Sequence, residues 1–307
     1  MKFKSVLLFL NIVFIFVLNA DTSLQTGPPD DFCGIRNTSF KNGEQLNYVV
    51  YYSIIGLYVN AGSATLITNL ERLNNRQIYH ITGVGKSNSS YNWVSKVDNR
   101  YETFIDTGTM QLLKFIRDVH ENNHKKYESI TFNRTASTAI TNDGVYKVPE
   151  CVQDVVSCLY YARNINFNKY KPGDKISFSM FFDNEVYNMY IRCIGKEDVK
   201  TKYGKFRAVK FKPLLIKGTV FEGGEKMSVW VTDDANCVPL RVESSLIVGS
   251  IKVDMMGYKN LRYPMTSLKS LRYTISCNEK VLSGLTPFSV ICKLQHSPCA
   301  SCSKKSM

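Results

Sequence analysis

The stretch MSVWVTDDANCVPLRVESSLIVGSIKVD, Met227–Asp254, contains two runs rich in β-branched residues, Ser228–Thr232 and Leu240–Val248. The residues between them, Asp233–Asn236, are of the small and polar types that form β-turns. A third run, Ser250–Met255, follows directly after a glycine. Short β-type runs separated by turn residues pair most simply with their neighbours in the chain. This stretch therefore predicts an antiparallel meander.

Alternation of apolar and polar residues with a period of two continues over most of the chain. Leu46, Tyr48, Val50 and Tyr52, for example, share one face of a predicted strand. Short polar turns such as Asn142–Gly144 separate the runs. Roughly a dozen such strands predict a mainly β fold. We expect one large antiparallel meander, curled into a half-barrel or barrel-like sheet that hides its apolar face.

One segment has helical spacing instead. Pro149 is a favourable residue for the first turn of a helix. Apolar residues then recur three and four positions apart, at Val152, Val155, Val156 and Leu159. This pattern predicts a single α-helix over about residues 150–163, which crosses the concave face of the sheet.

The two ends of the chain differ from its middle. Residues 1–20 combine a basic start with a short apolar run and a small residue at the end, as in a secretory signal peptide. We interpret residues 21–32 as a flexible leader and residues 33–268 as a single curled β-sheet domain. Residues 269–307 carry lysines and cysteines without alternation, which predicts a poorly ordered tail.

Nine cysteines in an exported chain favour disulfide bonds, but the count is odd and the spacing does not determine the pairing. Cys151 and Cys158 lie seven residues apart on the predicted helix, about 10 Å along its axis. That separation is too large for a disulfide between these two.

Several segments together resemble a family of exported bacterial proteins known as domain of unknown function 3108. They are Asn37–Phe40 after Cys33, PECVQDVVSCLYYARNINF at Pro149–Phe167, KPGDKI at Lys171–Ile176, GKEDVKTKYGKF at Gly195–Phe206, WVTDD at Trp230–Asp234 and VGSIKVDM at Val248–Met255. The resemblance covers about residues 33–267. It implies an exported, mainly antiparallel β protein of Gram-negative bacteria whose family has no established reaction or ligand.

Two motifs suggest metal chemistry, and the sequence favours another interpretation of each. His120–His124 reads HENNH and matches the HExxH pattern of zinc peptidases, which requires a helix to bring both imidazoles to one metal. Its flanks alternate with a period of two and Asn-Asn favours a turn, so we predict a surface hairpin. Asp233 and Asp234 lack the further ligands of a Ca²⁺ loop and belong to the predicted turn. We therefore predict no metal and no cofactor.

The candidate ligand-binding residues are aromatic side chains on predicted strands and a polar set on the predicted helix. Aromatic residues can line a cavity for acyl chains or stack on sugar rings, although in strands they more often pack within the sheet. We expect Asp154 to be a structural charge that fastens the helix to the sheet; its functional alternatives are a buried carboxylate with a raised pKa and a partner in an ion pair. The candidates are Tyr48, Tyr52, Tyr58, Trp93, Asp154, Tyr160, Tyr161, Arg163 and Trp230.

The sequence contains no Gly-rich phosphate loop and no Ser-His or Cys-His arrangement, so no catalytic residue is predicted. The leading hypothesis is a periplasmic or cell-envelope protein of a Gram-negative bacterium that binds an amphipathic or lipid-like ligand in a concave, aromatic-lined cavity. One alternative is a carbohydrate-active hydrolase or lyase with carboxylates on the concave face, and another is a structural envelope protein.

The formal net charge of +13 suits contact with a membrane surface, a lipid or a glycan, which exported proteins meet more often than nucleic acid. We therefore predict no nucleic-acid partner. The oligomeric state does not follow from the sequence.

Overall fold

The computed structural model describes residues 33–54, 56–91, 96–216 and 223–268. The strands are β1 (Glu44–Ile54), β2 (Leu57–Leu73), β3 (Arg76–Ser87), β4 (Val97–Asp106), β5 (Leu112–Glu121), β6 (His124–Asn133), β7 (Thr138–Ile140), β8 (Val145–Lys147), β9 (Lys175–Phe182), β10 (Glu185–Thr201), β11 (Gly204–Pro213), β12 (Met227–Thr232), β13 (Pro239–Ser245) and β14 (Ser250–Lys259). The helices are α1 (Ser157–Ala162) and two short 3₁₀ turns, Ser89–Tyr91 and Phe167–Lys169. The predicted signal peptide, the predicted leader and the predicted tail lie outside the described residues.

All fourteen strands belong to one antiparallel sheet, in the order β8-β7-β6-β5-β4-β3-β2-β1-β14-β13-β12-β11-β10-β9. Every neighbouring pair is consecutive in sequence except β1 and β14, which pair in the middle of the sheet. The predicted meander at Met227–Asp254 is confirmed as β12, β13 and the first half of β14. The sheet is not closed, and its two edges are β8 and β9.

The β9 edge nevertheless contacts β5 and β6, in the other half of the sheet, through side chains. The Asp183 carboxylate, at the turn between β9 and β10, lies 2.6 Å from a guanidinium nitrogen of Arg117 on β5 and 2.7 Å from Lys126 Nζ on β6. Phe181 packs edge-on against Phe132, with ring centroids 6.0 Å apart. These contacts give the open sheet a barrel-like form, as predicted.

The α-helix is shorter than the predicted span of residues 150–163, because the first part of this segment pairs with the sheet. The Gln153 N–H group donates to the Ser179 carbonyl, and the Gln153 carbonyl accepts from Phe181 N–H, both at 2.9 Å. This pairing along β9 is parallel. Since Gln153 is extended, the α-helix begins only at Ser157.

A hydrophobic core fills the concave face of the sheet. Its largest cluster joins Tyr160 and Tyr161 of α1 to buried side chains from both halves of the sheet, such as Ile105 on β4 and Val229 on β12. These side chains pack between the helical segment and the sheet, and the elongated cavity proposed from the sequence stays a prediction. None of the helices in the described part of the chain is long and apolar enough to cross a membrane.

Candidate functional site

A buried ion pair joins the helix to the start of the first strand. Arg163, directly after α1, donates through both terminal nitrogens to the Glu44 carboxylate, at 2.6 and 2.9 Å. Both side chains are almost fully buried. The guanidinium also lies over the rings of Phe40 and Tyr160, 5.4 and 5.2 Å from their centroids. Bidentate pairing of this kind fixes the orientation of both groups.

The turn between β12 and β13 completes this arrangement. Arg163 donates from Nε and from Nη2 to the Asn236 carbonyl, at 3.2 and 3.1 Å. Asp234 Oδ1 accepts from Thr232 Oγ1 and from the N–H of Asn236, at 2.7 and 2.9 Å, which confirms the predicted turn. Cys237 has a left-handed backbone with φ of 44°, which is costly for a residue other than glycine.

An open cleft of about 470 Å³ lies beside this turn, and we call it the helix-end cleft. One wall is the chain after α1 and the other is the β12–β13 turn. Tyr263 also lines the cleft. The lining residues are Thr38, Ser39, Arg163, Asn164, Ile165, Asn166, Phe167, Asn168, Val209, Thr232, Asp233, Asp234, Ala235, Cys237 and Tyr263. Burial raises the pKa of the Cys237 thiol to about 11. The thiol is therefore protonated at neutral pH and is a poor nucleophile.

Asp154 is fully buried just before α1. Its carboxylate accepts from Thr103 Oγ1 on β4 at 2.5 Å and from the N–H groups of Val156 and Ser157 at 2.7 Å. Burial raises its pKa to about 6, and these hydrogen bonds limit the rise. Of the two alternatives predicted for Asp154, the geometry supports the buried carboxylate with a raised pKa, which also fastens the helix to the sheet.

The structure brings together only part of the predicted set of site residues. Tyr48, Tyr160 and Arg163 lie around Glu44, a partner that the sequence analysis did not select, and burial raises the pKa of both tyrosines. Asp154 and Tyr161 are buried on the same segment as α1. The side chains of these residues are buried in the core, although Arg163 also lines the helix-end cleft and Tyr161 lines a second pocket near Cys33.

Trp230 belongs with Tyr48 to a second core cluster, where its ring lies 4.6 Å from Lys210 Nζ. Two further predicted residues lie apart from this group, and Trp93 lies outside the described residues. Tyr52 belongs to a third, small cluster. Tyr58 is the one predicted aromatic residue in the described part of the chain that is exposed.

Tyr58 belongs to an exposed apolar surface that the sequence analysis otherwise missed. We call it the apolar end, and it consists of Leu57, Tyr58, Val59, Ile247 and Val248. The β1–β2 and β13–β14 turns meet here because β1 pairs with both β2 and β14. Leu57 is 76% exposed and Ile247 is 54% exposed.

The apolar end is held outward by specific contacts. Tyr52 Oη donates to the Val248 carbonyl at 2.9 Å, and Leu246 N–H donates to the Gly249 carbonyl at 3.0 Å. Gly249 has a φ of +79°, and a side chain there would collide with the Ser53 carbonyl. The turn therefore cannot fold its apolar residues back onto the sheet without losing these contacts.

The HENNH motif forms a hairpin, as predicted. Strand β5 ends at Glu121 and β6 begins at His124, with the two asparagines in the turn. Glu121 Oε1 accepts from Asn99 Nδ2 at 2.6 Å, and His120 Nε2 lies 3.0 Å from Asp118. In the part of the chain that the structure describes, no three His, Cys, Asp or Glu side chains form a group that could hold a metal ion.

These features define a class: a barrel-like, mainly β protein with an open antiparallel sheet and a filled concave face. A buried ion pair fastens the sheet to the helical segment. The chain belongs to the family described as Protein of unknown function (DUF3108), whose model matches residues 47–256. This confirms the resemblance found in the sequence.

Three solved structures are similar to the chain at low identity. A beta-barrel-like protein of domain of unknown function DUF1849 from Brucella abortus is 10% identical, with 73% of this chain and 99% of that chain covered and a TM-score of 0.47. A provisionally designated lipoprotein from Parabacteroides distasonis is 15% identical, with 73% and 100% covered and a TM-score of 0.35. A provisionally designated exported protein with a YmcC-like fold from Bacteroides fragilis is 10% identical, with 74% and 99% covered and a TM-score of 0.34. None of the curated proteins matches this chain.

Proposed function

We propose that this protein is an exported cell-envelope protein that binds amphipathic, lipid-like molecules without catalysing a reaction, and that it contacts them at the apolar end. The observation that carries this proposal is the exposure of five apolar side chains at the start of β2 and on the neighbouring β13–β14 turn, which a hydrogen bond from Tyr52 holds in place. Exposed apolar patches that are maintained by specific structure mark interaction surfaces.

The chemistry of the apolar end suits the boundary of a lipid layer. Lys252 Nζ lies 6.0 Å from the centroid of the Tyr58 ring, so an aromatic residue and an ammonium group border the aliphatic side chains. Tyrosine and lysine place apolar parts among acyl chains while their polar ends stay in the headgroup region. Both sets of apolar side chains lie at the same end of β1, so they can enter a lipid layer together.

Two features support export of the protein to the cell envelope. Residues 1–20 have the pattern of a secretory signal peptide. Cys33 and Cys151 form a disulfide bond, a linkage that persists mainly in oxidising compartments such as the bacterial periplasm.

The described interior carboxylates favour binding over catalysis. A glycosidase needs two carboxyl groups facing each other across a cleft at roughly 5–10 Å. Glu44 is bonded to Arg163, and Asp154 is bonded to Thr103 and to N–H groups of the helical segment. Both are buried, so neither faces an open cleft.

Co-sedimentation with vesicles of phosphatidylethanolamine and phosphatidylglycerol tests this function. We expect the protein to sediment with the vesicles. The double variant Leu57→Asn/Ile247→Asn should bind the vesicles at least about tenfold more weakly, because two apolar anchors are lost. Val145→Asn is the matched control, since Val145 is 65% exposed but lies on edge strand β8.

The proposal is overturned if the natural protein stays in the supernatant, or if the double variant binds vesicles as well as the natural protein does. Self-association through the apolar end without vesicle binding, measured by sedimentation velocity, would instead support the alternative of a structural envelope protein.

A further inference from the structure

We infer that the helix-end cleft is a second binding site, and that its ligand is a neutral, hydroxyl-rich molecule of the size of a short glycan. This inference rests on a different part of the molecule from the proposed lipid contact. The cleft adjoins the start of β1, whereas the apolar end adjoins the end of β1. The two sites are therefore separated by the length of this strand, roughly 30 Å.

The size and walls of the cleft suit a small polar ligand. Its volume of about 470 Å³ falls within the range of small-molecule sites. Phe167 and Val209 are buried side chains among its lining, while Asn166 and Asn168 are exposed. Apolar side chains combined with a few polar groups are the usual composition of such sites.

The asparagines offer hydrogen-bond donors to a ligand. Asn166 Oδ1 accepts from Asn168 N–H at 3.2 Å, and Asn168 Oδ1 accepts from Lys196 Nζ at 2.7 Å. Each oxygen is thus engaged within the protein and its amide orientation is fixed. Among the described residues neither Nδ2 group has an acceptor, and such groups can donate to hydroxyl oxygens.

The positive charges around the cleft are compensated, which disfavours an anionic ligand. Lys196 Nζ lies 2.8 Å from Asp233, so these charges offset each other. Arg163 is bonded to Glu44. Asp234 Oδ1 accepts from the hydroxyl of Thr232 and from N–H groups of its own turn. An anion would therefore find no uncompensated positive charge among these residues, and the inferred ligand is neutral.

Tyr263 provides an aromatic surface in a fixed position. Its N–H donates to Asn236 Oδ1, and its carbonyl accepts from Asn236 Nδ2, both at 2.9 Å. Asn236 in turn binds Arg163 through its carbonyl. The Tyr263 residue remains 39% exposed, so its ring is available for stacking on the apolar face of a sugar.

Saturation-transfer NMR tests this inference with maltose, N,N′-diacetylchitobiose and glucose 6-phosphate as probes. We expect saturation transfer to at least one of the two neutral disaccharides. Tyr263→Ala and Asn168→Ala should each weaken that binding about tenfold, because they remove the stacking surface and one amide donor. Asn168 is exposed, so its variant tests the site even if Tyr263→Ala destabilises the fold.

Tyr58→Ala is the matched control, because it removes an exposed tyrosine at the apolar end. It should leave disaccharide binding unchanged, which separates this inference from the lipid proposal. The inference is overturned if neither disaccharide receives saturation, if only glucose 6-phosphate does, or if the cleft variants bind as tightly as the natural protein.

Discussion

At the level of single residues, Asp154 stands out as a carboxylate that the fold buries and surrounds with hydrogen bonds. Thr103 and two backbone N–H groups bind it, yet its pKa still rises to about 6 because burial disfavours the charged form. The folded state therefore holds this proton more tightly than the unfolded chain does. The resulting contribution to stability is present below the ordinary pKa of 3.8 and is lost as the pH rises through about 6.

Replacing Asp154 with Asn should abolish this contribution while keeping a similar shape and an acceptor for the helix N–H groups. The free energy of unfolding of the natural protein, relative to that of Asp154→Asn, should fall by about 2 kcal/mol between pH 4 and pH 6. Urea unfolding at a series of pH values measures this difference. A difference that stays constant over this range would contradict the assigned pKa.

Residue-scale prediction succeeded where the evidence was local. The sequence placed Asp154 on the helical segment as a charge that fastens it to the sheet, and the structure shows the buried carboxylate bonded to Thr103 on β4. Arg163 was selected as a site residue, but its partner Glu44 lies 119 residues away in sequence. A single sequence contains no local signal for such a pairing. The buried role of Tyr48 and Tyr160 likewise depends on strands that meet only in the folded sheet.

At the level of elements, the Glu44–Arg163 pair ties three pieces together. It joins the start of β1 to the end of α1 and, through the Asn236 carbonyl, to the β12–β13 turn. Because both charges are buried, removing one leaves the other without compensation in a low-dielectric interior.

Glu44→Gln and Arg163→Met should each lower the free energy of unfolding by about 3–5 kcal/mol. The double variant Glu44→Leu/Arg163→Met should lower the free energy of unfolding by less than the two single losses added together, since it leaves no isolated charge. Urea unfolding measures all three. Asp98→Asn, which breaks the exposed Lys86–Asp98 pair, is the control and should cost less than about 1 kcal/mol. Additive losses in the double variant would show that the two side chains act independently.

Element boundaries were predicted well for strands and less well for the helix. Alternation reports the strand period directly, which is why the meander at Met227–Asp254 is confirmed. The apolar residues from Val152 onward fit a helix equally well, but Gln153 pairs with β9 and keeps the chain extended. Tertiary pairing therefore overrode a local helical pattern, and the pattern alone does not reveal that competition.

At the level of the whole molecule, the Cys33–Cys151 disulfide links two segments separated by 118 residues. A cross-link that closes so long a loop removes much of the conformational freedom of the unfolded chain. The sequence left this pairing open because nine cysteines allow many combinations.

Loss of this disulfide, in the double variant Cys33→Ser/Cys151→Ser, should lower the free energy of unfolding by about 2–5 kcal/mol. Urea unfolding with and without a reductant measures the effect, and the reductant should leave the double variant unchanged. An identical midpoint for the natural protein and the double variant would contradict a stabilising role for this bond.

The overall architecture was predictable because all fourteen strands follow the same period, while the filling of the interior was not. Packing between α1 and the two halves of the sheet depends on side chains that are distant in sequence, such as Ile105 and Val229. The apolar end escaped prediction for a related reason. Neither of the two apolar segments, around Leu57 and around Ile247, indicates an exposed patch by itself in the sequence. They form one surface only because β1 pairs with both β2 and β14.

The pairing of β1 with β14 also constrains how the chain acquires its structure over time. Residues that pair in the middle of the sheet, such as Ser53 and Ser250, are roughly 200 positions apart, and contacts of such long range make folding slow. A chain that emerges from its N-terminus can form β1 to β8 early, but one edge of β1 stays unpaired until β14 follows. An unpaired strand edge is a template for aggregation, so the nascent protein depends on protection until almost the whole domain has emerged.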